Sequence, residues 1–352
     1  MRLKRSDCSR PGLTRRARGG GFEYLDQASG TRVTDVEVLD RIRALVLPPA
    51  WRDVWISPYA NGHLQAVGTD AAGRRQYRYH EEWRRKKDLE KFDDMLGFAR
   101  MLPDARTQVA GVLAATPDLT RERVLAASVR LLDQGFFRVG TEEYTEANDT
   151  FGLATIRKEH VALDGGALTF DYLAKGSKRR VVHFVDPEVA EVVGALKCRK
   201  GGGEELLAYR DADGWRDVRS GDVNVYIKQI MQGDYSAKDF RTWNATVYAA
   251  VVLAVSQPQL SSPTAAKRAK SFAAQQVADL LGNTPTVARN SYIDPRVFDR
   301  FDSGWTIAPA LELLGEDADP GTPAFQGPVE EAVLDLLENR RSADTLERVK
   351  VA

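Results

Sequence analysis

Polar and apolar residues alternate in short segments between residue 31 and about residue 82. The segments DVWISP, HLQAVGTD and RQYRYH follow the two-residue period of a β-strand. The turn signals YANG and DAAG, at residues 59–62 and 70–73, separate them. A helix is predicted around residues 35–45. These features predict a small β-rich N-terminal domain over residues 31–86.

The period becomes helical after the charged run EEWRRKKDLEK. One stretch interrupts this pattern, because ALTFDYLAKGSKRRVVHFV reads as two alternating segments joined by AKGSK. It predicts a β-hairpin near residues 167–185 with Lys175 at its tip. The larger domain, residues 87–352, is therefore predicted to be mainly α-helical, which makes the fold class α+β. Its helices are predicted near residues 89–101, 103–115, 121–134, 187–197, 221–232, 237–256, 264–281 and 328–349.

Composition narrows the class of protein. A chain of 352 residues suits two domains, and hydrophobic and charged fractions of 43% and 28% are typical of a globular protein without membrane spans. Residues 1–30 are basic and lack an apolar segment, so we expect a flexible cationic arm and a cytoplasmic protein. Two cysteines, Cys8 and Cys198, and four histidines provide no disulfide framework and no metal-ligand spacing. We expect no metal and no cofactor.

The net charge of zero conceals an asymmetry. Residues 301–352 carry four basic and eleven acidic side chains, a net charge of −7, which leaves +7 on residues 1–300. We interpret the acidic C-terminal segment, 301–352, as a solvated connection followed by an amphipathic helix. It masks a basic body in the total, and a basic body suits nucleic acid.

Four polar stretches in the larger domain carry candidate chemistry: FFRVGTEEYTEANDTFGLATIRKEHV from residue 136, the hairpin lysine, SAKDFRTWNAT from residue 236, and LGNTPTVARNSYID from residue 281. In this order and at these spacings they resemble the active site of type IB DNA topoisomerases of the small bacterial and poxvirus-like kind. The segment LPPAWRDVWISPYANGHLQAVGTDAAGRRQYRYH resembles the N-terminal DNA-binding domain of the same family. The resemblance covers nearly the whole chain and implies a clamp around duplex DNA.

The resemblance implies a role for each of five residues. Tyr292 corresponds to the nucleophile that forms a 3′-phosphotyrosyl bond. Arg138 and Arg241 correspond to the guanidiniums that stabilise the pentavalent phosphate, and Asn283 to a further donor to its oxygens. Lys175 corresponds to the general acid for the departing 5′-oxygen. These residue types suit the chemistry, because a phosphodiester repels nucleophiles and a tyrosine with a pKa of about 10 is a weak one.

The function implied is relaxation of supercoiled DNA. The phosphotyrosyl bond retains the energy of the broken phosphodiester, so religation needs neither ATP nor metal. The sequence agrees, since it contains no P-loop motif and no acidic metal cluster. We expect duplex DNA as the partner and a monomer associated with the nucleoid.

Further DNA contacts are implied outside the active site. Alternation in GRRQYRYH places Gln76 on one face of a strand and Tyr77 and Tyr79 on the other. All three correspond to a DNA-contacting segment of the family, where Gln and aromatic side chains can read base edges and methyl groups. Tyr144 corresponds to another DNA-contacting tyrosine, although Thr141 stands where relatives can carry a lysine.

Two positions distinguish the alternatives. Asn283 replaces the histidine found in many relatives but can still donate to phosphate. Tyrosine recombinases share this set of residues but typically carry a histidine at the position of Lys238, which favours a topoisomerase. A site-specific tyrosine recombinase and a non-catalytic DNA-binding protein stay open as alternatives. His160 and Trp243 are interpreted as packing and orienting groups.

Overall fold

The computed structural model describes residues 2–256, 262–313 and 325–349. The chain divides into two compact units, Met1–Asp93 and Asp94–Ala352. The first is a small unit built on a β-sheet and the second is larger and mostly helical, in agreement with the predicted α+β class. Residues 314–324 and 350–352 of the predicted acidic segment lie outside the described residues.

The N-terminal unit contains a five-stranded antiparallel sheet. Its strands are β1 (Leu13–Arg18), β2 (Gly21–Asp26), β3 (Arg52–Ile56), β4 (Leu64–Thr69) and β5 (Arg75–Tyr79), in the spatial order β2-β1-β3-β4-β5. Helix α1 (Val36–Ala44) begins after Asp35, whose carboxylate accepts hydrogen bonds from two backbone N–H groups of the first turn. Ile42 of α1 packs on apolar residues of β1, β3 and β4. The larger apolar cluster of this unit thus lies between the helix and the sheet, and Trp55, Leu64 and Val67 form a second cluster.

The flexible arm predicted for residues 1–30 is wrong. Strands β1 and β2 lie within this range, and β1 pairs with both β2 and β3. The arginines that suggested a solvated arm have a partner, because the buried carboxylate of Glu23 forms ion pairs with Arg16 and Arg18. A count of charges along the chain misses this pairing across two strands.

The helical unit is organised around a central helix, α7. The helices after α1 are α2 (Glu81–Ala115), α3 (Arg121–Gly135), α4 (Glu142–Asn148), α5 (Pro187–Cys198), α6 (Ser220–Ile230), α7 (Ala237–Ser256), α8 (Pro263–Leu281), α9 (Pro285–Ser291), α10 (Pro295–Asp302), α11 (Ala308–Leu313) and α12 (Pro328–Glu338). Helix α7 packs against α3, α6, α8, α10, α11 and α12, and its Phe240 and Trp243 are fully buried. None of the described helices is long and apolar enough to cross a bilayer.

Two predicted helix boundaries are wrong. The helices predicted at 89–101 and 103–115 are one helix, α2, with Pro103 in its interior. A proline there removes one backbone hydrogen bond, at a cost of about 3 kcal/mol, but Leu102, Ala105 and Val109 beside it are buried and offset that loss. The helix predicted at 328–349 ends at Glu338, because Asn339 adopts a left-handed conformation with φ of 62°.

A three-stranded antiparallel sheet positions the hairpin lysine. Its strands are β6 (Val161–Asp164), β7 (Ala167–Ala174) and β8 (Lys178–Val185), in that spatial order. The loop between β7 and β8 consists of Lys175, Gly176 and Ser177, and the last two have positive φ angles of 80° and 56°. The short strands β9 (Ala208–Asp211) with β10 (Gly214–Asp217), and β11 (Trp305–Thr306) with β12 (Glu347–Arg348), form two further ribbons.

Candidate active site

The segment after α3 holds Arg138. Helix α3 ends at Gly135 and is followed by Phe136, which has a left-handed φ of 54°. Phe137 is fully buried, with its ring 5.0 Å from that of Phe170 in β7. The backbone of Arg138 is held in turn, because its carbonyl accepts a hydrogen bond of 2.7 Å from the N–H of Leu153.

A pair of glycines lets this segment close on itself. Gly140 has a φ of 77°, and a Cβ at this position would lie 2.7 Å from the Cα of Gly152. A side chain at either position would therefore force the two backbones apart. The last residue of the segment RVG, Gly140, is thus required for the close approach of the two backbones.

Arg241 ties three segments together from the first turns of α7. Its side chain is only 4% exposed. Nη1 donates to the carbonyl of Phe136 at 2.6 Å, and Nη2 donates to the carbonyl of Leu281 at 3.0 Å. The Nε–H group is buried without a hydrogen-bond partner among the described residues. These bonds hold the guanidinium between the end of α3 and the end of α8.

Asn283 follows the end of α8. Gly282 ends the helix in the left-handed conformation, with φ of 65°. The Oδ1 atom of Asn283 accepts a short hydrogen bond from Nη2 of Arg138. Its Nδ2 atom is buried and has no hydrogen-bond partner among the described residues. The amide therefore orients Arg138, and its Nδ2 remains able to donate to a ligand.

Tyr292 lies directly after α9, which begins with Pro285 and is capped by the Thr284 hydroxyl. The backbone N–H of Tyr292 donates to the carbonyl of Ala288 at 3.0 Å, and its carbonyl accepts from Thr246 of α7 at 3.2 Å. The guanidinium carbon of Arg241 lies 5.3 Å from the centre of the tyrosine ring. The phenol is thus held next to a cation.

Four of the five predicted catalytic residues line one cavity of about 320 Å³, which we call the tyrosine cavity. They are Arg138, Lys175, Arg241 and Tyr292. Asn283 does not line it. It lines a neighbouring cavity of about 230 Å³ that shares the Arg138 wall, so its contact with the tyrosine cavity runs through Arg138.

The electrostatics of the site favour a reactive phenol. Burial alone would raise the pKa of Tyr292, but the positive charges of Arg241 and Arg138 outweigh it and leave the pKa below that of an ordinary tyrosine. Burial and the nearby Arg138 lower the pKa of Arg241 to about 10, against the opposing effect of Tyr292. Phenol and guanidinium therefore stabilise each other's charged forms.

Sequence reasoning missed residues that the fold brings to this site. Arg180 of β8 lines the smaller cavity with Asn283. The alternation of β8 could have predicted this position, because Arg180 shares the less exposed face of the strand with Val182 and Phe184. Lys238 and Thr150 line the tyrosine cavity, and the Thr150 hydroxyl is buried without a hydrogen-bond partner among the described residues.

The predicted DNA contacts of β5 lie on two faces. Tyr77 and Tyr79 are exposed, with stacked rings 6.2 Å apart. Gln76 is half-buried, and its Nε2 donates to the carboxylate of Asp70 at 2.9 Å. A ligand on the tyrosine face would not meet Gln76 in this arrangement. Tyr144 belongs to α4.

His160 and Trp243 occupy packed positions. The ring of His160 lies edge-on to Phe151 with centroids 4.4 Å apart, and burial lowers its pKa. Trp243 is fully buried and its Nε1 donates to the carboxylate of Glu330 at 2.7 Å. Both contacts agree with the packing and orienting roles assigned from the sequence.

The arrangement suits phosphoryl transfer to a tyrosine. A phenol with a lowered pKa is a better nucleophile, and guanidiniums bind the oxygens of a phosphodiester. The exposed lysine on the hairpin loop lines the same cavity and can hold or deliver a proton. The fold and this cavity indicate the class of enzymes that act on the backbone of a nucleic acid.

Comparison with known proteins identifies the family. Residues 80–303 match the model for the eukaryotic DNA topoisomerase I catalytic core, and residues 21–70 match the bacterial DNA topoisomerase IB N-terminal domain. The chain is 30% identical to DNA topoisomerase 1B of Acanthamoeba polyphaga mimivirus over 291 residues, which is 80% of this chain and 85% of the viral protein. The chain therefore belongs to the type IB DNA topoisomerase family.

Two more distant relatives match smaller shares. DNA topoisomerase 1 of rabbit fibroma virus is 20% identical over 233 residues, which is 66% of this chain and 70% of that protein. DNA topoisomerase 1 of Schizosaccharomyces pombe is 29% identical over 163 residues, which is 46% of this chain and only 19% of the yeast protein.

Proposed function

We propose that this enzyme relaxes supercoiled DNA by cutting and rejoining one strand. Tyr292 releases its proton to solvent, and the phenolate oxygen attacks a backbone phosphorus and forms a 3′-phosphotyrosyl bond, while the bond from phosphorus to the 5′-oxygen breaks. The freed strand turns about the intact one, and its 5′-hydroxyl then attacks the phosphotyrosyl bond. The observation that carries this proposal is the tyrosine cavity, which holds Tyr292 with Arg138, Arg241 and Lys175.

Each side chain has a role that its surroundings support. Arg138 and Arg241 bind the non-bridging oxygens and stabilise the charge of the pentavalent transition state. The hydrogen bonds from Arg241 to the carbonyls of Phe136 and Leu281 keep its guanidinium oriented before DNA binds. The group therefore does not need to reorganise during the reaction. Asn283 orients Arg138 through its Oδ1 and offers its unpaired Nδ2 to a phosphate oxygen.

Lys175 supplies the proton in this scheme. A 5′-alkoxide is a poor leaving group, so its departure requires protonation. The lysine lies on a three-residue loop between paired strands, which lets the tip move while β7 and β8 remain in register. In religation the same lysine accepts the proton from the attacking 5′-hydroxyl. The DNA phosphodiester and the phosphotyrosyl ester are bonds of similar energy, so the cycle needs no ATP. The guanidiniums supply the positive charge at the phosphate, so the scheme needs no metal ion.

We further propose that the two units together enclose duplex DNA as a monomer acting on the nucleoid. The exposed pair Tyr77 and Tyr79 offers aromatic surface on one face of β5, and Arg75 adds a cation 5.9 Å from the Tyr77 ring. Gln76 can contact a base only after it leaves Asp70. Tyr144 is the fourth proposed contact.

Plasmid relaxation tests this function directly. Purified protein should relax a supercoiled plasmid in EDTA without ATP, and denaturation during the reaction should trap a protein–DNA adduct at a 3′-end. Tyr292→Phe should abolish both but leave DNA affinity within about twofold, since only one hydroxyl is removed. Recombination of paired sites would indicate a recombinase, and binding without an adduct would indicate a non-catalytic protein. Either result would refute the proposal.

A further inference from the structure

Arg180 occupies the wall between the hairpin and the active site. It lies on β8 opposite Tyr172 of β7. Its Nη2 donates to the carbonyl of Phe136 at 3.3 Å and lies 3.5 Å from the carbonyl of Gly135. Phe136 is the residue whose carbonyl also accepts from Arg241. Two guanidiniums thus converge on the same turn at the end of α3.

Arg180 lines the smaller cavity of about 230 Å³, which we call the Arg180 cavity. Arg138, Lys178, Arg179 and Asn283 contribute donors to the same lining, although Arg179 is exposed and paired with Asp171. A Cβ at Gly282 would lie 3.5 Å from Nη1 of Arg180, so the guanidinium lies over the glycine that ends α8. The Arg180 cavity and the tyrosine cavity are adjacent, because Arg138 and Phe151 line both.

The positive charges around the Arg180 cavity outnumber the single carboxylate that lines it, and that carboxylate is exposed. Within the described residues, Arg138, Arg180 and Arg241 form hydrogen bonds with backbone carbonyls, with the Asn283 amide and with the phenols of Tyr172 and Tyr292, and none with a carboxylate. Burial lowers the pKa of Arg180, and the charge of Arg138 lowers it further against the opposing effect of Tyr172. Clustered cations of this kind are stable when an anion joins them.

One carboxylate lines the Arg180 cavity, that of Asp279. It is exposed and accepts a hydrogen bond of 2.8 Å from Gln275. By contrast, the Nδ2 of Asn283 is buried and has no hydrogen-bond partner among the described residues. An unpaired amide donor beside two guanidiniums is a set of groups that fits phosphate oxygens.

We propose that the Arg180 cavity binds a DNA phosphate that flanks the scissile one on the cleaved strand, with Arg180 as its principal ligand. The inference rests on the proposed function, in which the scissile phosphate occupies the tyrosine cavity. Successive phosphates of one strand advance by only about 3.4 Å along the helix axis. A neighbour of the scissile phosphate must therefore lie close by, and Arg138 lies between the two cavities. Held at two points, the strand keeps the scissile phosphorus in line with Tyr292.

The test removes the charge of Arg180 and the charge of one DNA phosphate, separately and together, and compares the cleavage rates. Duplexes with one preferred cleavage site are synthesised with a neutral methylphosphonate at each phosphate flanking the scissile one. Single-turnover cleavage is measured for the wild type and for Arg180→Gln, which removes the charge but can still donate to a carbonyl. With wild-type enzyme, one flanking substitution should slow cleavage about 10- to 100-fold, as expected for a lost charge-assisted contact. With Arg180→Gln, the same substitution should change the rate by less than about threefold.

Arg216→Gln is the control. Arg216 carries the same charge, but it lies on β10, lines neither cavity and is paired with Asp211 and Asp213. This variant should respond to every methylphosphonate as the wild type does. A role of Arg180 confined to folding would slow all substrates by the same factor, and that result would overturn the inference. Equal sensitivity of Arg180→Gln and wild type at every phosphate would overturn it too.

The outcome separates this inference from the proposed function. If wild-type enzyme forms no adduct with unmodified DNA, the proposed function itself fails. If the Tyr292-dependent adduct forms and the double change slows cleavage by the product of the two separate factors, the two groups act independently. Only the phosphate subsite is then refuted.

Discussion

Glu330 provides the sharpest test of how the C-terminal helix supports the active-site helix. The residue is 8% exposed and lies in the first turn of α12. Its carboxylate accepts from Arg106 of α2 at 2.5 and 2.9 Å and from Trp243 of α7 at 2.7 Å. Asp133 of α3 binds the same guanidinium at 2.8 and 2.9 Å. One half-buried cation, whose side chain is 20% exposed, therefore joins α2, α3 and α12, and Glu330 connects it to α7.

We predict that Glu330→Ala lowers the free energy of unfolding by about 3 kcal/mol. Removal of one partner from a buried ion pair costs about 3–5 kcal/mol. Arg106 keeps Asp133, which places the expected loss at the lower end of that range. The buried N–H of Trp243 loses its acceptor, which contributes about 1–3 kcal/mol when taken alone. The two losses share one carboxylate and are not additive.

The measurement is urea unfolding followed by far-UV circular dichroism, with Glu331→Ala as the control. Glu331 is adjacent, lies in the same first turn and is exposed, so the interaction with the helix dipole is matched. The control should change the free energy of unfolding by less than about 0.5 kcal/mol. Trp243→Phe should cost an intermediate amount, since Glu330 keeps Arg106. A loss below about 1 kcal/mol for Glu330→Ala, or a loss equal to that of the control, would refute the reasoning.

Three further predictions concern the chemistry. Lys175→Ala should be severely slow on normal DNA and close to wild type on a substrate with sulfur in place of the bridging 5′-oxygen, since a thiolate leaves without a proton; an unrescued variant would remove the general-acid role. Arg241→Ala should lower the cleavage rate by about 10²-fold or more with a much smaller change in affinity and no comparable rescue by sulfur, and equal losses in rate and affinity would make it a binding residue. Because the cations outweigh burial and lower the pKa of Tyr292, the rising limb of the wild-type cleavage rate should level off below pH 10, and Arg241→Ala should move it to higher pH. An unchanged limb would contradict that assignment.

Local signals determined much of this protein. The period of the apolar residues is enough to predict α7, because the helical pattern recurs every three to four residues and is visible in a short stretch of sequence. The hairpin of β7 and β8 follows from alternation and a Gly-containing loop. Thr284 and Pro285 are typical of a helix start and coincide with the start of α9, although no helix was predicted there from the sequence. The residue types of the site also follow from the sequence, because a phosphodiester substrate calls for guanidiniums, a proton donor and a nucleophile whichever fold holds them.

Only the tertiary structure decided which charges meet. Arg16 and Arg18 suggest a solvated arm, but the neighbouring strand places the carboxylate of Glu23 between them, where it pairs with both. Pro103 reads as a helix end, yet burial of its neighbours keeps α2 continuous. In both cases the local preference is worth no more than a few kcal/mol, and burial or pairing of comparable size reverses it.

The site also depends on contacts between residues that are distant in the sequence. Arg241 reaches carbonyls 105 residues before it and 40 residues after it, and Arg106 reaches a carboxylate 224 residues away. From the sequence, Arg180 looks like one more cation of a basic strand, and it becomes part of the site only because β8 places it beside Arg138. Periodicity determines which face a residue occupies, but the partner on that face depends on how distant segments pack, because burial strengthens a charge's interactions only with the groups that are buried beside it.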